Sequence, residues 1–124
     1  MPKKILIADD EPNIVISLAY LLKREGYTVL IAHDGQEALD TIAREKPDLV
    51  LLDVMMPIKT GFEVCQAVRA NEDLQATRIL MLTAKGRDTD LSKGLALGAD
   101  AYMTKPFSTR ELAQKVADML VERP

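Results

Sequence analysis

Side chains able to do chemistry stand directly behind short apolar runs in this chain. "ILIA" (5–8) leads into Asp9, Asp10 and Glu11, "LVLL" (49–52) into Asp53, "ILML" (79–82) into Thr83, and "AYM" (101–103) into Thr104 and Lys105. A further run, "VLIA" (29–32), leads into His33 and Asp34. An acid at the end of four aliphatic residues is costly to bury unless it has a partner or a task. If these ends meet, Asp9, Asp10 and Asp53 share a small space, where like charges push up each other's pKa values unless a cation joins them. The hard, oxygen-seeking cation that uses a few carboxylates and a phosphate is Mg²⁺. Thr83 would add a hydroxyl and Lys105 a positive charge, both suited to phosphoryl oxygens. Acids to hold a metal, an acid to attack, a hydroxyl and an ammonium together describe a phosphoryl-transfer site. Plainer readings exist for each: Asp9 and Asp10 as caps of a helix with Pro12 in its first turn, Asp53 as a strand-end acid facing water, Thr83 as a turn residue, Lys105 as a solvated lysine. Convergence at one edge favours the chemical reading.

The elements that must position these residues follow from periodicity. The four longer apolar runs suit strands buried on both faces, and "AYM" is a weaker fifth. Helical spacing fills the intervals. Ile14, Val15, Leu18, Leu21 and Leu22 share a face, with Gly26 placed to end that helix. Asp34 and Glu37 read as a capping pair ahead of Ala38, Leu39 and Ile42, and Pro47 follows. Phe62, Cys65 and Val68 mark a third helix, and Leu91 and Leu95, with Gly98 beyond, a fourth. Ser108 and Glu111 read as a capping box before Leu112, Val116, Met119 and Leu120. The pattern is (βα)₅, which implies an α/β fold: parallel strands with right-handed crossovers, covered on both sides. Five units are too few for an eight-stranded barrel, so an open three-layer sandwich is expected, with the polar residues gathered at the carboxyl edge of the sheet.

Composition narrows the function. The 124 residues suit one domain, 1–124, with 48% hydrophobic and 28% charged residues, as in a globular protein. A net charge of −3 without a basic block argues against nucleic-acid binding by this chain alone. The single cysteine, Cys65, excludes an internal disulfide and a cysteine metal cluster, and is expected to pack as a small hydrophobe. His33, the only histidine, lacks partners for a triad and is expected at the surface. No apolar run approaches the ~20 residues of a membrane span, and a cytoplasmic setting is expected. Neither GxGxxG nor GxxxxGK[ST] occurs, against dinucleotide and P-loop binding.

With these residues placed, the chain closely resembles the receiver domain of two-component response regulators. The resemblance runs from about Lys3 to Val121 and is carried by "ILIADDEP" (5–12), "DLVLLDVMMP" (48–57) with Gly61, "MLTA" (81–84) and "GADAYMTKPF" (98–107) in this order and spacing. It implies a flavodoxin-like fold with strand order 2-1-3-4-5. It also implies that Asp53 accepts a phosphoryl group from a phosphohistidine on a sensor histidine kinase or phosphotransfer protein. Asp10 then matches the direct Mg²⁺ ligand, Asp9 the acid acting through water, and Met55 the position whose backbone carbonyl completes the metal site. Lys105 matches the lysine that pairs with the phosphoryl group, with a bond to Pro106 that is typically cis. Thr83 and Tyr102 match the switch pair, with Ala84 leaving room for the hydroxyl to move. The responsive surface would comprise the fourth helix, fifth strand and fifth helix, about residues 88–121, and act on an effector protein or a linked output domain. The resemblance implies a phosphoacceptor that catalyses its own phosphorylation and dephosphorylation, not an enzyme acting on a separate substrate.

Some positions depart from the usual pattern. Lys59 and Thr60 stand where many relatives carry an acid before the glycine, which touches the loop and not the ligands. Met55 and Lys85 occupy positions that tune hydrolysis of the acyl phosphate in such domains, and a bulky Met55 could shield it from water; Met56 and Pro57 read as loop structure. A Mg²⁺-dependent phosphohydrolase of the haloacid-dehalogenase kind would want a second acid at position 55, where Met stands. A degenerate interaction module would not need the complete set Asp9, Asp10, Asp53, Thr83 and Lys105. "LVERP" (120–124) leaves no room for an effector domain, so either a stand-alone receiver or a piece of a longer regulator is expected.

Overall fold

The computed structural model describes residues 2–84 and 88–121, with the backbone alone for residue 88. Five strands, β1 (Lys4–Ala8), β2 (Thr28–Ala32), β3 (Leu49–Asp53), β4 (Arg78–Ala84) and β5 (Ala101–Lys105), form one sheet in the order β2-β1-β3-β4-β5, every pairing parallel. The helices α1 (Pro12–Arg24), α2 (Gly35–Glu45), α3 (Gly61–Ala70), α4 (Asp88–Ala96) and α5 (Thr109–Met119) connect them. This is the open (βα)₅ sandwich that the alternation predicts, with the flavodoxin-like strand order that the resemblance implies.

Strand alternation divides the core in two. Ile5, Ile7, Leu49, Leu51, Leu80 and Leu82 pack against α1 and α5 through Val15, Leu18, Leu22, Leu112 and Val116. Their neighbours Leu6, Ala8, Val50, Leu52, Ile79 and Met81 face α2 and α3 through Ala38, Ile42, Val64, Cys65 and Val68. Strands β1 and β3 are covered on both sides, as continuous apolar runs require. The edge strands differ from that expectation: Val29, Leu30 and Ile31 of β2 and all of β5 are only half-buried or exposed, because each has a single strand neighbour.

The helix signals are met with local variations. Asp34 accepts from the Glu37 N–H at 2.8 Å, while the Glu37 carboxylate returns to the His33 N–H, one residue earlier than a closed box needs. Ser108 accepts from the Glu111 N–H at 3.0 Å. Thr60 and Glu63 add a complete capping box at α3 beyond the two expected caps, so Thr60 serves to start that helix. Gly26 and Gly98 leave α1 and α4 at φ +93° and +111°, as their placement predicts. A 3₁₀ turn at Glu72–Leu74 lies between α3 and β4. Cys65 is fully buried and His33 is exposed beside Glu37. Of the Met55–Met56 pair, which reads as packing rather than as a cofactor contact, Met56 packs into the α2–α3 half of the core although it also reads as loop, while Met55 is exposed.

Candidate functional site

Register determines what meets at the carboxyl edge. Ala8 pairs with Leu52, so the next residues, Asp9 and Asp53, emerge side by side; Asp53 is itself level with Leu82, and Ala84 with Lys105. The Asp9 N–H still bonds the Ala32 carbonyl at 3.2 Å, and the Val54 N–H bonds the Leu82 carbonyl at 3.2 Å, so both acids are held by the ends of the ladder. The chain after Asp53 then turns tightly. The Gly61 N–H bonds the Val54 carbonyl, and a Cβ on Gly61 would fall on the Asp53 carbonyl oxygen and within 2.9 Å of the Val54 Cα. Only glycine lets α3 begin so close behind the acid.

Lys105 reaches across this edge. Its Nζ lies 3.0 Å from Asp9 Oδ2, 3.2 Å from Glu11 Oε1 and 3.3 Å from Asp53 Oδ1. Asp9 has no exposed surface and Asp53 is 5% exposed, so these are buried charges sharing a cation. The Lys105–Pro106 bond is cis. Burial and then the Asp9 charge push the Asp53 pKa from 3.8 up to about 6, with Lys105 and the Met55 N–H opposing. Burial also works against the Lys105 charge, but the Asp9 hydrogen bond and the Asp53 and Asp9 charges outweigh it and raise its pKa.

One oxygen each from Asp9, Asp10 and Asp53 lies within 4.8 Å of the others. Three carboxylate oxygens gathered this closely are the hard donors that a small dication such as Mg²⁺ takes, a few carboxylates at a time. The fit is chemical as well, since a dication beside Asp53 would offset the repulsion that raises its pKa. Thr83, at the end of β4, is 1% exposed, and its Oγ1 is the one buried side-chain oxygen or nitrogen without a hydrogen-bond partner among the described residues. A buried hydroxyl left unpaired is costly, and an incoming oxygen would satisfy it.

A cavity of about 120 Å³ opens on Asp53, lined also by Glu11, Met55, Ala84, Asp90 and Lys105. Met55 is 62% exposed at its mouth, and its N–H donates to Asp53 Oδ1 at 3.4 Å. Tyr102, level with Met81 on β5, is exposed. Lys85 lies outside the described residues. The acids do not cap α1: Glu11 holds the cap position, and Asp9 Oδ1 accepts from the Glu11 N–H at 2.9 Å. Two residues had no assigned role in the sequence. Glu11 follows the acid pair and could have been noticed there, whereas nothing in the spacing of Asp90 signals that it lines the cavity.

Comparison with known proteins agrees with this geometry. The profile of the response regulator receiver domain matches residues 5–117. Among solved structures, a Chloroflexus aurantiacus J-10-fl protein assigned as a response regulator superposes with a TM-score of 0.93 at 35% identity, over 98% of this chain and 100% of that one. The chemotaxis response regulator CheY4 of Vibrio cholerae gives 0.91 at 35% identity, over 97% and 100%. The signal receiver domain of a signal transduction histidine kinase from Syntrophus aciditrophicus gives 0.90 at 31%, over 98% and 94%. Buried acids, lysine and hydroxyl at the carboxyl edge of a 2-1-3-4-5 sheet thus come with a family match along nearly the whole chain: the protein belongs to the receiver domains of two-component response regulators.

Proposed function

We propose that residues 1–124 form one receiver domain that switches by phosphorylation of Asp53. The observation that carries this reading is Asp53 itself, a buried carboxylate facing a cavity, with Asp9 and Lys105 beside it and an unpartnered Thr83 hydroxyl at the same edge. A carboxylate oxygen of Asp53 forms the new P–O bond as the bond from phosphorus to the donor breaks, and the electron pair leaves on the donor. With a phosphohistidine on a sensor kinase or phosphotransfer protein, that donor atom is an imidazole nitrogen. Asp10, Asp53 and the Met55 carbonyl would hold Mg²⁺, with Asp9 acting through water; the ion supplies charge neutralisation for the phosphoryl oxygens. Lys105 binds a phosphoryl oxygen and Thr83 another, so the chain assists its own phosphorylation and hydrolysis rather than turning over a separate substrate.

The switch then follows from Thr83. Movement of its hydroxyl toward the phosphoryl oxygens leaves space behind it, past the small Ala84, for the Tyr102 ring to turn inward. The new charge thereby biases two packings of the α4–β5–α5 surface, which is read by an effector protein or a linked output domain in the cytoplasm. No helix among the described residues is long and apolar enough to cross a membrane.

Incubation with acetyl phosphate or phosphoramidate and Mg²⁺, followed by intact-mass measurement, tests the reading. Wild type is expected to gain one phosphoryl group only with Mg²⁺, and Asp53→Asn none. Absence of a wild-type adduct, under conditions that trap short-lived forms, would sink it. Met55 and Lys85 are the tuning positions in this proposal. Because Met55 screens the mouth of the cavity with an apolar side chain, Met55→Asn should shorten the lifetime of the phosphorylated form severalfold by holding water there. An unchanged lifetime after removal of the donor would deny Met55 that role.

A further inference from the structure

An ammonium has three hydrogens to donate, and Lys105 has three carboxylates around it, those of Asp9, Glu11 and Asp53. Two of them, Asp9 and Glu11, accept its hydrogen bonds at 3.0 and 3.2 Å, so a phosphoryl oxygen arriving at Lys105 competes with these acceptors. The three differ in what release would cost. Asp9 is fully buried and Asp53 nearly so, whereas the Glu11 side chain is 58% exposed and can be rehydrated at little cost. Glu11 also makes an unusual local choice. It occupies the cap position of α1 with extended backbone, yet its carboxylate accepts no first-turn N–H and turns instead to the ammonium of a residue 94 positions away. It lines the small cavity on Asp53 and also the wider groove of about 540 Å³ that runs past Lys105, Pro106 and Phe107.

We propose that Glu11 is a positioning residue for Lys105: it holds one ammonium hydrogen in the unphosphorylated protein and yields it to the arriving phosphoryl oxygen. The inference rests on the phosphoacceptor reading above. During transfer the P–O bond to Asp53 forms and the bond from phosphorus to the donor breaks with its electron pair; Lys105 and Glu11 exchange no proton, and the ammonium only changes acceptors. The Glu11–Lys105 pair then exists in the unphosphorylated ground state alone. The phosphorylated form and the transition states on either side of it all have Lys105 on phosphoryl oxygen. Loss of the pair should therefore speed phosphorylation and leave hydrolysis unchanged.

The test measures, at saturating Mg²⁺, the second-order rate constant for phosphorylation by acetyl phosphate and the first-order rate constant for hydrolysis after donor removal. Glu11→Gln removes the charge, while Glu11→Asp keeps it on a side chain too short to span the gap. Both variants are expected to be phosphorylated about two- to fivefold faster than wild type, the size expected of a part-exposed ion pair, with hydrolysis unaltered. Fast Glu11→Gln beside a wild-type-like Glu11→Asp would reduce the effect to charge at the entrance and overturn the proposal. So would parallel changes in phosphorylation and hydrolysis, or altered thermal stability with neither rate changed. A wild type that takes up no phosphoryl group overturns the phosphoacceptor reading and this one with it; uptake with unchanged variant rates overturns this one alone.

Discussion

Lys105→Met is expected to destabilise the Mg²⁺-free protein by about 2–4 kcal/mol at neutral pH, and added Mg²⁺ to recover most of that loss. The substitution keeps an apolar stem of similar length, so the packing change is small. What it removes is the one cation paired with either Asp9 or Asp53 among the described residues. Two carboxylates then remain buried side by side without compensation, and the cost is bounded because Asp53 can take up a proton. Glu11 adds little, since its exposed carboxylate returns to water. A dication bound by the same acids replaces the lost charge, and stabilises in proportion to its binding. Urea unfolding of wild type and Lys105→Met, with chelator and with saturating Mg²⁺, measures both terms. An equal loss in the two conditions would mean that Lys105 supports packing rather than the acids.

That sharing of one ammonium marks the limit of what a sequence can disclose. Asp9, Asp53, Thr83 and Lys105 are legible as strand-end residues because an apolar run buried on both faces must end at the sheet edge, and parallel strands all end at the same one. The register Ala8–Leu52 and Ala84–Lys105 then brings them together without further specification. Rotamers are not legible in this way. Nothing in "DDEP" tells that Glu11 declines to cap its helix in favour of Lys105, because cap and ion pair are both open to a flexible glutamate. Burial at the edges is also under-determined: "VLIA" and "LVLL" read alike, yet β2 has one strand neighbour and β3 has two. Met56 follows a strand and precedes a proline, which reads as loop, yet its side chain joins the α2–α3 half of the core.

The least legible feature is the Arg69 clamp. From α3 its guanidinium donates to the Gly98 and Thr77 carbonyls, both at 2.8 Å, and to Asp100 Oδ2 at 2.7 Å, which also accepts from the Ile79 N–H. No spacing rule links residues 29 and 31 positions apart, and each partner taken alone is an ordinary turn or strand-start residue. The clamp ties α3 to the turn after α4 and to the start of β5, so the C-terminal end of α4 is anchored independently of the acids at the opposite edge.

Asp53→Asn is expected to stabilise the Mg²⁺-free protein, and the gain should depend on pH in a set direction. The Asp53 pKa is raised from 3.8 to about 6 by burial and by the Asp9 charge. The folded state therefore binds this proton more tightly than the unfolded chain does. Between about pH 4 and pH 7 the folded form carries more of it, so the contribution of Asp53 to stability falls as pH rises through that window and is least favourable above it. At 1.36 kcal/mol per pH unit, the full displacement corresponds to about 3 kcal/mol. The cavity opens one side of the carboxylate to water, and asparagine pairs less strongly with Lys105, which reduces the expected gain at pH 8 to about 1–2 kcal/mol. The advantage of Asp53→Asn should shrink to nothing near pH 4, where wild-type Asp53 is protonated in the folded protein. Saturating Mg²⁺ should cancel or invert it, since the dication favours the carboxylate that asparagine lacks. Urea midpoints of both proteins from pH 4 to pH 8 in chelator test the linkage, and parallel profiles would show that Asp53 ionises in the folded protein as it does in the unfolded chain.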